Sequence, residues 1–174
     1  MGDFSILVLD DDIYSLENIK LALADFNEYN VVTAADSRAA KKLLKQNKFN
    51  LLITDLRLPC KDGLEFAEEA KKKGLINDAI LITGFGDEKT IEKAIKIGIR
   101  DFLRKPYEET EFLNSVRKVY ENYLLKLENE GRSSRGAIYL SPLDAPVGRW
   151  FFKLAKSIQI RSKRPVRLYN LVGL

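Results

Sequence analysis

At 174 residues, 45% hydrophobic and 31% charged, the chain has the size and composition of one globular domain with a short appendage. It has no histidine and one cysteine, Cys60, which excludes histidine-based zinc sites, Ser-His-Asp catalysis and an internal disulfide. Any metal must therefore be held by oxygen, which favours magnesium, calcium or manganese. A lone thiol fits a reducing cytosol. No apolar run approaches the ~18–20 residues of a membrane span, and the start MGDFSILVLDDD lacks the basic stretch of a signal peptide. A cytoplasmic location with no membrane partner is expected. The net charge of +4 hides a division. From Arg132 onward there are nine basic residues and one acid, Asp144, leaving 20 basic against 24 acidic residues before it. An acidic domain thus carries a basic tail.

Short apolar runs alternate with helical periodicity along the first part. Phe4 to Leu9 reads as a buried strand. Leu16, Ile19, Leu23 and Phe26 follow at helical spacing. Residues 30–34 form a shorter, more polar strand, expected at an edge. Ala39, Ala40, Leu43 and Leu44 mark a second helix, with Ser37 near its start. Residues 51–54 form a third strand. Leu64, Phe66, Ala67 and Ala70 mark a third helix, ended by Gly74. Residues 79–83 form a fourth strand. Ile91, Ala94, Ile95 and Ile97 mark a fourth helix, stopped by Gly98. Residues 99–103 form a fifth strand, and a long helix runs from about residue 108 to 130. Five strands alternating with five helices predict a doubly wound α/β parallel sheet, with helices on both faces.

The last helix is longer than a sheet needs. Leu113, Val116, Tyr120, Tyr123 and Leu127 fall on alternating three- and four-residue steps, a seam that suits a partner helix. The alternative is that its first turns pack on the sheet and the rest is an ordinary amphipathic end.

The strand tips carry the chemistry. Asp10 and Asp11 follow the first strand, Asp55 the third, Thr83-Gly84 the fourth and Lys105-Pro106 the fifth. In a parallel α/β sheet such tips share the ligand-binding edge. Singly, each has a bland reading: a helix cap, a loop acid, a plain turn, a solvated lysine. Together they gather three acids, a hydroxyl and an ammonium. Three close carboxylates raise one another's pKa unless a cation neutralises them. Magnesium, an octahedral oxygen-binding ion that keeps some waters, suits such a cluster, with manganese as the substitute. An aspartate can then attack phosphorus to give an acyl phosphate. The metal and Lys105 supply positive charge, and Thr83 a hydroxyl donor.

With these motifs the first 127 residues resemble the receiver domain of bacterial response regulators. The resemblance rests on Leu7-Val8-Leu9-Asp10-Asp11-Asp12, Ile53-Thr54-Asp55-Leu56-Arg57-Leu58-Pro59 with Asp62-Gly63, Ile82-Thr83-Gly84, and Phe102-Leu103-Arg104-Lys105-Pro106. It implies a five-stranded flavodoxin-like sheet of order 2-1-3-4-5. Asp55 would be the phosphoacceptor. Asp10, Asp11, Asp55 and the backbone carbonyl of Arg57 would hold magnesium. Thr83 and Lys105 would bind the phosphoryl group, and Phe102 would be the aromatic switch beside Thr83. A cis peptide is expected before Pro106. The implied partners are a sensor histidine kinase or phosphotransfer protein, and a second copy, joined through the fourth helix, fifth strand and fifth helix and through the Leu113 to Leu127 seam. Such a chain assists its own phosphoryl transfer and autodephosphorylation and is not an enzyme in the ordinary sense. Arg57 and Phe85 would flank the path of attacking water.

A rival is the haloacid-dehalogenase type of phosphatase, in which Asp10 would be the nucleophile and Asp12 the acid. It leaves Asp55 without a role. The expected organisation is a receiver domain at 1–127, a linker at 128–138 and a basic, aromatic-containing tail at 139–174. The tail reads as a solvated segment or the start of a further domain. Nucleic-acid binding is its alternative, since Lys and Arg neutralise phosphates and Trp150, Phe151 and Phe152 could stack on bases. Cys60 is assigned no role.

Overall fold

The computed structural model describes residues 4–59, 62–84 and 88–134, which contain ten alternating elements. In chain order they are β1 (Phe4–Leu9), α1 (Ile13–Leu23), β2 (Tyr29–Ala34), α2 (Ser37–Gln46), β3 (Phe49–Asp55), α3 (Gly63–Lys72), β4 (Ile76–Thr83), α4 (Glu88–Ile97), β5 (Asp101–Arg104) and α5 (Glu109–Ser134). The strands lie in the order β2-β1-β3-β4-β5, all paired in parallel. This is the doubly wound sheet expected, with β2 at an edge.

Successive side chains of a strand point to opposite faces, and here both faces are covered. Ile6, Val8, Ile53 and Ile80 meet Leu16 and Ile19 of α1 and Phe112 and Val116 of α5. Leu7, Leu9 and Leu52 meet Ala40 and Leu44 of α2 and Phe66 and Ala67 of α3. Leu81 packs with Leu64 and with Ala94 of α4. Burying a Leu or Ile side chain is worth about 1.5–3 kcal/mol, so the two-sided core is the main stabiliser of the sheet.

Aspartates start three of the helices. The side chain of Asp12 accepts from the Tyr14 amide at 3.0 Å, Asp36 from Ala39 at 2.7 Å and Asp62 from Leu64 at 2.8 Å, each satisfying an amide that the first turn leaves open. Gly74 and Gly98 end α3 and α4 at φ of 65° and 75°, a left-handed conformation that glycine adopts without strain.

Four strands differ from expectation; β2 and β3 start one and two residues early, at Tyr29 and Phe49, and β3 runs on through Asp55. β4 starts at Ile76, three residues before the apolar run, because Asn77 and Asp78 interrupt the hydrophobic pattern without breaking the strand. Asp78 is buried, and it faces Arg100 at 3.5 Å and Lys126 at 3.8 Å. β5 starts only at Asp101: the Ile99 amide still donates back to the Ala94 carbonyl of α4 at 3.0 Å, and the Arg100 amide makes the first bond across to β4, to the Ala79 carbonyl at 2.8 Å.

The seam on α5 also needs correction. Val116 and Tyr120 are buried in the domain's own core, with Leu113, Tyr123 and Leu124 packed beside them. Tyr120 meets Phe4 edge-on at 5.2 Å and Tyr29 at 5.4 Å, and Tyr123 meets Phe4 at 5.2 Å. Only Leu127 of the five seam residues is exposed. A three–four spacing over two heptads is shared by coiled-coil seams and by helices lying on a sheet, and here the sheet takes it. The compact unit extends to Glu130, and α5 runs on to Ser134. Residues 128–134, expected as the start of a linker, are therefore helical. One glycine, Gly131, costs a helix only about 1 kcal/mol. The tail at 139–174 lies outside the described residues, as do Cys60 and Phe85. Among the described residues no helix is long and apolar enough to cross a membrane.

Candidate functional site

Strand register brings the marked residues to one edge. Leu9 pairs with Thr54, Asp55 with Ile82 and Thr83 with Arg104, so four strands end nearly level. Asp10 is buried just past β1. One carboxylate oxygen accepts from the Asp12 amide at 2.9 Å, and the other accepts from Lys105 Nζ at 3.1 Å. The same ammonium donates to Asp55 Oδ2 at 2.6 Å. Asp55 Oδ1 accepts from the Arg57 amide at 2.8 Å. Lys105 is held in place by its backbone, which donates to the Thr83 carbonyl at 2.8 Å, and the Lys105–Pro106 peptide is cis as expected. Thr83 is fully buried. Phe102 is partly buried against Leu56, Leu64, Leu81 and Ala94.

The electrostatics follow from burial and pairing. Burial raises the Asp10 carboxyl above its ordinary value; the Asp12 amide and Lys105 offset this in part, and the Asp55 charge adds to the rise. Burial pulls Lys105 down, but its hydrogen bonds to Asp55 and Asp10 and their charges together hold it above the ordinary lysine value. Lys105 is therefore a fixed cation between two acids. Asp12 is lowered, first by the Ser15 hydroxyl and then by the Tyr14 amide, so it stays ionised as a helix cap.

Two acids converge here, not three. Among the described residues no three acidic or thiol side chains are gathered as a ready metal set, and Asp11 is exposed. The donor set still fits a hard divalent cation: two carboxylates share one small space, a third stands next in sequence to one of them, and all are oxygens.

Two neighbours have parts that the sequence reading did not give them: Gly63 was placed in a motif without a reason, and Tyr107 was not singled out. Gly63 opens α3 directly under Asp55. A Cβ there would overlap the Asp55 carbonyl oxygen and stand 3.0 Å from Thr54 Oγ1. The Gly63 amide donates to the Leu56 carbonyl at 2.8 Å, and Thr54 Oγ1 donates to the Asp55 carbonyl at 3.0 Å. A glycine eight residues after an aspartate at a strand end was the available signal. Tyr107 is the second. Its phenol is raised by burial and feels the charges of Lys105, Asp10 and Asp55, and its ring lies 5.9 Å from that of Phe112. Nothing in its sequence context distinguished it from a loop aromatic.

Residues 6–117 match the response regulator receiver domain family. The chain is 32% identical over 124 residues to the C4-dicarboxylate transport transcriptional regulatory protein DctD of Pseudomonas aeruginosa, covering 71% of this chain and 27% of that one. It is 30% identical over 131 residues to a putative response regulator NtrX-like of Rickettsia felis, covering 74% and 27%. The chain thus spans about a quarter of the length of these relatives. A response regulator receiver domain protein from Clostridium thermocellum superposes with a TM-score of 0.64 at 29% identity, over 70% of this chain and 98% of that one. With its five strands in the order β2-β1-β3-β4-β5 and Asp10, Asp55 and Lys105 joined at their tips, the chain belongs to the response regulator receiver domain family.

Proposed function

We propose that Asp55 is the phosphoacceptor of this receiver and that Lys105 is its fixed cation. The observation that carries this is the single ammonium placed 2.6 Å from Asp55 and 3.1 Å from Asp10. A carboxylate oxygen of Asp55 attacks the phosphorus of a phosphohistidine or small acyl phosphate. The phosphorus–nitrogen or phosphorus–oxygen bond of the donor breaks, and the leaving group takes its electron pair. Asp10, Asp55, the Arg57 carbonyl and Asp11, once its side chain turns inward, would hold magnesium or manganese. When bound, such an ion supplies positive charge for the transferring phosphoryl oxygens. Lys105 pairs with a phosphoryl oxygen and Thr83 donates its hydroxyl to another.

The added charge of about −1.5 to −2 draws on Thr83 and Lys105 at the ends of β4 and β5. Phe102 then turns into the space beside Thr83. The face made by α4, β5 and α5 is biased toward a second arrangement. On that face Ile91 and Ile95 are exposed at 38% and 70%, an apolar surface suited to a second copy. The partners are thus a sensor histidine kinase or phosphotransfer protein in the cytoplasm and a second receiver. Asp12 is committed to capping α1, through the Tyr14 amide and the Ser15 hydroxyl. It is not free to serve as the acid that a phosphatase with Asp10 as nucleophile requires.

Labelling with acetyl phosphate and magnesium, read by intact mass, tests the assignment. The chain gains one phosphoryl group and Asp55→Asn gains none; retention of the label in Asp55→Asn refutes it. Beryllofluoride with magnesium is expected to raise the sedimentation coefficient at micromolar protein.

A further inference from the structure

α2 carries a charge pattern that phosphoryl chemistry does not use. Between Ser37 and Lys48 there are five basic residues, Arg38, Lys41, Lys42, Lys45 and Lys48, and no acid. All five are exposed. Ala40 and Leu44 turn the opposite side of the helix into the core. Arg38, Lys41, Lys45 and Lys48 follow one another at three or four residues, so they climb one side of the helix and its exit. Arg38 with Lys42, and Lys41 with Lys45, are like-charge pairs one turn apart, which weaken a helix. α3, of the same length, shows the ordinary arrangement: Lys72 pairs with Glu68 and Lys73 with Glu69, each at 2.6 Å. Among the described residues no ion pair involves any of these five cations.

We propose that this face of α2 binds the phosphodiester backbone of a nucleic acid. An uncompensated row of cations on a domain that is otherwise acidic calls for an external polyanion. The repeat suits a backbone: ten helical residues span about 15 Å, the rise of roughly four phosphates of one strand. A protein partner fits less well. Lysine is depleted at protein interfaces, which are anchored by buried aromatic and apolar residues. Among the described residues the exposed large apolar side chains lie on α1, α4 and α5, and none on α2. The composition recurs in the same chain, whose last 43 residues hold nine basic residues and one acid.

The test uses the full chain and its triple variant Lys41→Gln, Lys42→Gln, Lys45→Gln, titrated onto a fluorescent mixed-sequence DNA duplex across a salt series. The variant is expected to bind at least tenfold more weakly at about 50 mM salt. Its plot of log affinity against log salt should be shallower by about three, near one unit for each of the three lost phosphate contacts. The tail contributes equally to both proteins and cancels. A matching triple Lys→Arg variant should keep the parental slope. Labelling of Asp55 by acetyl phosphate shows that each variant is folded, because none of these residues touches that site. Identical slopes for parent and Gln variant overturn the proposal, as does an absence of duplex binding by the parent. So does a loss seen only toward polyglutamate or anionic vesicles, which reassigns the face to an acidic protein or a membrane.

Discussion

The carbonyl oxygen of Asp55 occupies the space that a side chain on Gly63 would need. The proposed phosphoacceptor and the first residue of α3 are therefore in backbone contact, and only a missing Cβ permits it. Gly63→Ala must push β3 and α3 apart. Overpacking of this kind costs about 1–3 kcal/mol. Urea denaturation should show that loss, and labelling of Asp55 by acetyl phosphate should slow even in molecules that remain folded. A Gly74→Ala control, with nothing within 4 Å of its Cβ but a φ of 65°, should lose stability without slowing the labelling of the folded fraction.

Asp10 is a carboxylate that the fold holds at a disadvantage. Its value in the folded chain lies above the ordinary 3.8, so the folded state binds the proton more tightly than the unfolded state. The stability it contributes is full below pH 3.8 and is lost as pH climbs through the raised value. In chelator at neutral pH, Asp10→Asn should therefore melt higher than the parent. The gap between the two should close as pH falls toward 3.8. Magnesium should raise the melting temperature of the parent and leave Asp10→Asn nearly unchanged. A variant that melts lower than the parent in chelator contradicts the sign.

Lys105 should be coupled to Asp10 in a double-mutant cycle. Lys105→Ala leaves two neighbouring carboxylates without their shared cation, and breaking a partly buried pair in this way costs about 1–3 kcal/mol once its exposure is allowed for. Asp10→Asn in the same molecule removes the repulsion and should restore much of the loss. A coupling of more than about 0.5 kcal/mol is expected; simple additivity would show that the ammonium does not bridge the pair in solution.

The inward seam on α5 separates two substitutions that sequence alone would rank together. Tyr120 lies in the aromatic group with Phe4 and Tyr29, so Tyr120→Ala should cost about 3–5 kcal/mol. Leu127, 45% exposed, should lose less than about 0.5 kcal/mol on change to Ala. Chemical denaturation of both variants decides the matter, and equal losses would mean that the helix presents a different side to the sheet.

Sequence was most informative where pattern and chemistry coincide. β1 and β3 are apolar on both faces and end in acids, so both strand and site stood out. β4 was read short because Asp78 looks like a loop residue; its burial depends on Arg100 and Lys126, remote in sequence and brought near only by folding. α5 was legible as a helix, but the direction of its apolar stripe was not, since a sheet and a partner helix ask for the same spacing. The structure joins Asp10, Asp55 and Lys105 by hydrogen bonds. Asp11 is exposed, and the spacing that marks it beside Asp10 does not say which way its side chain turns. Gly63 was noticed as part of a motif, but its reason is a steric relation across β3 and α3.

β5 has four residues, one hydrogen-bonded neighbour and an open outer side. It also leads directly into Lys105, whose ammonium reaches over two intervening strands to the tip of β1. Fraying of this rim therefore does more than expose a few amides. Each excursion unlatches the cation from both acids at once, so the weakest hem of the sheet sets how long the whole cluster stays assembled.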